Sequence, residues 1–293
     1  LLISLPSHKL EREGKKDLYH SFIYSILILL LAIPKYGHAT VFRVVIDPGH
    51  GGTDHGTVYH YKNGRTAEKE ITLRLAKQVA DHLRSQGIWV TLTREKDHDL
   101  SLPARTALAN RLKADVFISI HMNSTENINQ RDAEGIETYI LNNTTDASSK
   151  RLAHLENSVI SMNPIESPEQ ADVALILKDL RLDANLSESK RLACHIQGNL
   201  VSTTSRLTSL QDPLKQKRDR GVKQALFHVL LGADMPSVLV EAGFLSSARD
   251  RSILLSPKGQ ALVSHAIAKA VEQYRHGKWN PSKHSTLSRC KVN

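Results

Sequence analysis

Three polar residues stand where buried strands run out. The apolar stretch 41–46 (VFRVVI) leads into DPGHGG and so to His50. A second run, DVFISIH (115–121), ends on His121, and a third, PSVLVEAGF (236–244), carries Glu241 within it. A polar group in such a place is costly unless it finds a partner. Open parallel sheets collect ligand sites beyond the carboxyl ends of their strands, so three such ends in one sheet point to a shared site. Any one of these histidines alone reads as a hydrogen-bonded turn residue. Together they match catalytic zinc, which takes three protein ligands, His₂Glu among the established sets, and keeps a fourth position open. The missing carboxylate has two candidates, Glu68 and Glu70, in the first turn of the helix after the glycine-rich loop. Each also reads as an ordinary acid on a helix dipole. Asp47 and Asp54 better suit the setting of turns within that loop.

The elements that must position these residues follow from periodicity. After the first strand and a glycine-rich loop (49–64), Ile71, Leu75, Val79 and Leu83 recur at steps of four, the apolar face of a helix. Thr66 is placed to cap its start and Gly87 to end it. A strand is expected over 88–94, a helix over 102–114 with Pro103 in its first turn, then strands over 115–121, 135–141 and 236–244. KGQALVSHAIAKAVEQY reads as the last helix. Strands alternating with helices predict an α/β fold: a single domain with a twisted, mostly parallel sheet flanked by helices on both faces. Residues 145–205 interrupt the alternation with a helix-prone, acid-rich stretch, read as a helical insertion.

Composition narrows the setting. The formal charge is +9, yet residues 275–293 hold five basic side chains and no acid, while residues 40–274 carry only +2. The charge therefore sits on a loose basic tail (276–293) and not as a stripe on the folded body, which argues against a nucleic-acid binder. Near the N-terminus Lys15 and Lys16 precede a twelve-residue apolar run, 22–33, followed by GHA at 37–39. That run is short for a membrane span but fits a signal-peptide core. Residues 1–39 are thus expected to be an export signal, the only membrane contact, with residues 40–275 the exported domain. Cys194 and Cys290 could pair only by tying the tail to the body, and are given no chemistry.

Read in order, VVIDPGHGG, EK opening an amphipathic helix, TLTR, ARTALANRLKADVFISIHMN, GIETYIL and PSVLVEAGFLS resemble the zinc-dependent N-acetylmuramoyl-L-alanine amidases of the amidase_3 type, over nearly all of residues 42–274. The resemblance selects Glu68 over Glu70, so that His50, Glu68 and His121 hold one zinc ion and Glu241 is catalytic. It implies hydrolysis of the amide between N-acetylmuramic acid and L-alanine in peptidoglycan, on the wall side of the inner membrane, by a monomer. Gram-negative cell-division amidases carry a helix in the region of the insertion that blocks the cleft until an activator protein displaces it. By that resemblance residues 157–188 are the blocking segment, with Glu166 or Glu169 reaching the metal. One departure is GGTDHG, where His55 replaces the family's usual proline. His55 and His60 are therefore secondary candidates for a ligand or substrate contact. Two other readings stand beside this one: a different exported zinc hydrolase, such as a peptidase or deacetylase, and an inactive wall-binding protein.

Overall fold

The order of polar ends in the sequence is realised by the topology of one six-stranded sheet. In the computed structural model, residues 41–62, 64–125, 133–158, 168–205, 218–277, 290 and 292 are described, with helix side chains described from residue 185 onward in the fourth helix. The elements are β1 (Arg43–Pro48), β2 (Val58–Tyr61), β3 (Gly64–Ala67), α1 (Glu68–Ser85), β4 (Trp89–Leu92), α2 (Leu102–Arg111), β5 (Val116–Asn123) and β6 (Ile136–Leu141). They continue with α3 (Ala147–Asn157), α4 (Pro168–Thr204), β7 (Asp219–Ala225), β8 (Ser237–Phe244), α5 (Ala248–Leu254) and α6 (Pro257–Arg275). The sheet runs β4-β1-β5-β8-β6-β7, and every neighbouring pair is parallel except β6 with β8. That one antiparallel pair brings the start of β6 to the same edge of the sheet as the end of β8.

Both faces are covered, and the strands alternate between two cores as the pleat requires. Val44, Ile46, Ile118, Ile120, Val238 and Val240 pack on one side with the apolar faces of α1, α4 and α6. Val45, Phe117 and Leu239 point the other way, onto Ala109 of α2 and Leu152 and Ala153 of α3. Helix α1 buries Ile71, Leu75, Val79 and Leu83, the four residues whose spacing predicted it. Truncating one of these to alanine is worth about 2–5 kcal/mol.

Several expectations need adjustment. Thr66 does not cap α1: its N-cap is Ala67, with no side-chain bond, and the helix begins directly at the end of a hairpin. That hairpin, β2–β3, begins inside the stretch expected to be a glycine-rich loop (49–64) and runs on to Ala67. Strand β7, at the sheet's edge, had no signal in the alternation. Helices α3, α5 and α6 are capped by Asp146, Ser247 and Ser256, each accepting a backbone N–H from the first turn. The helical insertion contains α3 and a 37-residue α4. The tail is held at two points: Cys290 is disulfide-bonded to Cys194 on α4, and Val292 bridges to Val222 on β7. Residues 1–40, including the apolar run, lie outside the described residues. No described helix is long and apolar enough to cross a membrane.

Candidate metal centre and active site

The DPGH turn is shaped by two buried arginines. Arg105 donates to the carbonyls of Pro48 and His50 and to the Asp47 carboxylate, and Arg94 donates to the carbonyls of Pro48 and Gly49. Asp47 in turn accepts from Thr93 and Ser119. Burial alone would raise the Asp47 carboxyl, but Arg105 and the two hydroxyls hold it below the ordinary range. Asp47 therefore serves the turn, as its position suggested. His50 is held at a φ of +62°, a region costly for a side-chain-bearing residue. Gly49 has no room for a side chain, because a Cβ there would collide with the His121 ring.

This clamp brings His50 to His121. Their rings meet edge to face with centroids 4.8 Å apart. Glu68 Oε1 lies 3.1 Å from His50 Nε2 and 3.3 Å from His121 Nδ1. The backbone aims this carboxylate: the N–H groups of Met122 and Thr57 donate to its two oxygens at 2.7 and 2.9 Å. Glu68 is buried whereas Glu70 is exposed, so the fold distinguishes two residues that spacing left equivalent. Asp54 takes His50 Nδ1 at 2.8 Å and the Gly56 N–H. It is thus both a turn-setting residue and a partner that orients the His50 imidazole. His55 and His60 are outside the cluster, and His60 is solvent-exposed.

A fourth donor joins the cluster, one that the sequence reading did not foresee. Glu156 Oε2 lies 3.0 Å from His121 Nδ1 and 3.4 Å from His50 Nε2. One ligand atom from each of His50, Glu68, His121 and Glu156 fits within 4.8 Å. Glu156 occupies the last turn of α3, one residue before the expected blocking segment. An acid there faces the negative end of the helix dipole, so the two imidazoles, not its own helix, favour it. That unfavourable placement was the signal available in the sequence. Glu166 lies outside the described residues, as does the side chain of Glu169.

The donor set fits zinc. His50 Nε2 and His121 Nδ1 are buried without a hydrogen-bond partner, and two imidazoles with two carboxylates supply four ligands of the types this ion takes. Burial disfavours charge on the histidines, yet Glu156 and Glu68 hold His121 up at about 10 and His50 well above its ordinary value. The same histidines hold Glu68 low against the effect of its burial. The site is strongly charge-coupled and suited to a cation.

Glu241 sits beside it. In the parallel β5–β8 register Glu241 is opposite His121, and in the antiparallel β6–β8 register it is opposite Glu137. Its carboxylate is fully buried with neither oxygen hydrogen-bonded. Burial pushes its pKa well up; His121 opposes this, and Glu156, Glu68 and Glu137 add to it. A carboxyl so tuned can take and return a proton. Glu137 is itself buried but paired with Arg220 and Lys223 of β7 and bonded to Tyr139 and Asn123.

Residues 44–273 match the family Amidase_3, N-acetylmuramoyl-L-alanine amidase. Among curated proteins the chain is 30% identical to N-acetylmuramoyl-L-alanine amidase AmiA of Escherichia coli, over 83% of this chain and 79% of that protein. It is 31% identical to AmiC of Neisseria meningitidis, over 79% of this chain but only 52% of the relative's length. The structure resembles an N-acetylmuramoyl-L-alanine amidase from Clostridium difficile 630, with a TM-score of 0.58, 31% identity, and 82% and 99% of the two chains covered. With the family's motifs and a matching sheet on the same residues, the chain belongs to the Amidase_3 family of N-acetylmuramoyl-L-alanine amidases.

Proposed function

We propose that this chain is a zinc-dependent peptidoglycan amidase that cuts the bond between N-acetylmuramic acid and L-alanine. The observation that carries this reading is the convergence of His50, Glu68 and His121 within ligand distance of one another, with the unpaired carboxyl of Glu241 opposite His121. Bound there, zinc would polarise the amide carbonyl and lower the pKa of water to about 7. The remaining work falls to the chain. Asp54 holds the His50 tautomer, and the Met122 and Thr57 amides keep Glu68 aimed at the metal position. Glu241 accepts a proton from the attacking water and returns it to the departing amine nitrogen of L-alanine. Its burial raises its pKa and so favours its holding that proton between the two transfers.

Glu156 is the resting-state occupant of the fourth corner and excludes substrate until α3 shifts. This puts an autoinhibitory contact at Glu156, one residue before the expected segment 157–188, beside the expectation for Glu166 or Glu169, whose side chains lie outside the described residues. An activator protein that displaces this region is the corresponding partner. Export fits the reading, since the substrate lies outside the membrane and a disulfide such as Cys194–Cys290 persists in an oxidising compartment. Residues 1–39 would be the export signal, the enzyme periplasmic and monomeric, and wall cleavage during cell separation its use.

The test is mass spectrometry of products from purified sacculi, with wild type and Glu241→Gln. Free peptides beginning at alanine, with intact glycan strands, are expected from wild type and not from the variant. Cuts within peptides or sugars, or equal amidase activity in the variant, would overturn the reading.

A further inference from the structure

A cavity of about 570 Å³ opens beside the metal cluster, between α3 and the ends of the sheet strands. Its walls connect it to the site. Asn123 lies two residues beyond His121 on β5, Glu137 is the register partner of Glu241, and Leu155 precedes Glu156 on α3. The volume is that of a ligand pocket and not of a packing defect.

Its charge is specific. Two guanidinium groups line it, Arg151 from α3 and Arg220 from β7. The one acid in the wall, Glu137, is already matched: Arg220 Nε and Lys223 Nζ both reach its Oε1. Arg220 is also stacked over Phe244, its guanidinium carbon 5.0 Å from the ring centroid, so the fork is fixed in direction. Among the described residues no carboxylate pairs with Arg151, and none takes the terminal nitrogens of Arg220. Arg151 stands on the half of α3 anchored through buried Ser149, Leu152 and Ala153, so a shift of the Glu156 turn need not carry it away. The cavity is therefore a surplus-cation pocket, walled by an aromatic ring, one strand from the proton-transfer residue.

The substrate offers one matching half. On the glycan side of the scissile amide the sugars are N-acetylated and the lactyl carboxyl is consumed in the bond itself. The free carboxylates lie on the peptide side. We propose that Arg151 and Arg220 form a subsite for a free carboxylate of the stem peptide, and that this contact orients the peptide leaving group. A planar guanidinium is the side chain suited to such a carboxylate. This inference rests on the amidase reading and names the substrate group that its cleft selects.

The test separates the two. Binding of L-alanyl-D-glutamate with its γ-carboxyl blocked as the amide, and of the corresponding α,γ-diamide, to the full chain is measured by calorimetry, which needs no turnover. The same pair is compared as muramoyl dipeptides in kcat/KM. The acid is expected to bind and react about tenfold better than the amide, the size of one lost charge-assisted contact. In Arg151→Gln and in Arg220→Lys the acid-to-amide ratio is expected to fall toward one. The lysine keeps a positive charge beside Glu137, and the ratio is insensitive to a general loss of activity or fold. A third arm uses a tripeptide amidated at its second residue but carrying a free carboxylate on the third. Arginine-dependent preference for that peptide over its fully amidated form assigns the subsite to the third residue and supports the proposal equally. Equal affinity for acid and amide at both positions, or a ratio unmoved by either variant, would overturn it. Calorimetric discrimination without muramoyl cleavage would instead count against the amidase reading alone.

Discussion

Replacing Glu156 by glutamine should activate the enzyme. The substitution keeps the size of the side chain and the helix around it, and removes the charge that lies 3.0 Å from His121 Nδ1 and 3.4 Å from His50 Nε2. The Glu156 side chain is 14% exposed, so water screens the contact only in part. A charge-assisted contact of this kind contributes about 1.5–3 kcal/mol. If that energy holds the closed state, its loss shifts the closed–open equilibrium by roughly 10- to 150-fold. The expected result is at least a tenfold rise in the rate of peptide release from dye-labelled sacculi in the absence of any activator. Zinc content and thermal unfolding are measured on the same samples. A folded variant with full zinc and unchanged or reduced rate would refute the reasoning, and would make Glu156 a structural ligand instead of a block. A variant that loses zinc would say the same.

Other perturbations test the frame around the site. Asp47→Asn leaves the Arg105 guanidinium buried against a neutral partner and should cost about 3–5 kcal/mol in denaturant unfolding at neutral pH. Because the folded pKa of Asp47 lies below its ordinary 3.8, its contribution is full above that value and lost as pH falls through the folded pKa. The variant should therefore show a flatter acid limb of stability against pH; an unchanged limb would refute the assignment. Gly56→Ala should abolish tight zinc binding without unfolding α1, since a Cβ there would meet His50 Cδ2 at 2.6 Å and Glu68 Oε2 at 2.7 Å in a backbone with φ of +60°; zinc titration followed by circular dichroism checks this. Cys290→Ser should destabilise the domain by roughly 2–4 kcal/mol, the effect of opening a cross-link that spans 96 residues, and an unchanged urea midpoint would show that the tail adds nothing.

Much of the architecture was legible because it is written in local periodicity. Helix α1 follows from apolar residues every fourth position, and β1, β5 and β8 follow from short apolar runs that alternate between two cores. The hairpin β2–β3 was missed although the sequence carries an Asn-Gly pair at 63–64, a strong hairpin signal, and Gly64 opens β3 opposite Tyr61. The glycines around it drew the reading toward a loop. Strand β7 was missed for another reason: at the sheet's edge it is only partly buried, so no apolar run marks it.

The candidate site divides along the same line. Residue types and strand ends by themselves singled out His50, His121 and Glu241, since a polar group ending a buried run needs a partner wherever the fold takes it. What sequence could not supply was the choice among carboxylates. Glu68 and Glu70 are equivalent by spacing, and family motifs were needed to choose between them. In the structure the helix phase leaves Glu70 in solvent and the amides of Met122 and Thr57 fasten Glu68. Glu156 and the Arg151–Arg220 pocket were beyond reach for a stronger reason. Arg151, Glu156 and Arg220 lie 30, 35 and 99 residues beyond His121 in sequence, and only the packing of α3 and the placement of β7 in the sheet bring them there. Local pattern determines which faces are buried; the distance between two charges is decided by how those faces pack.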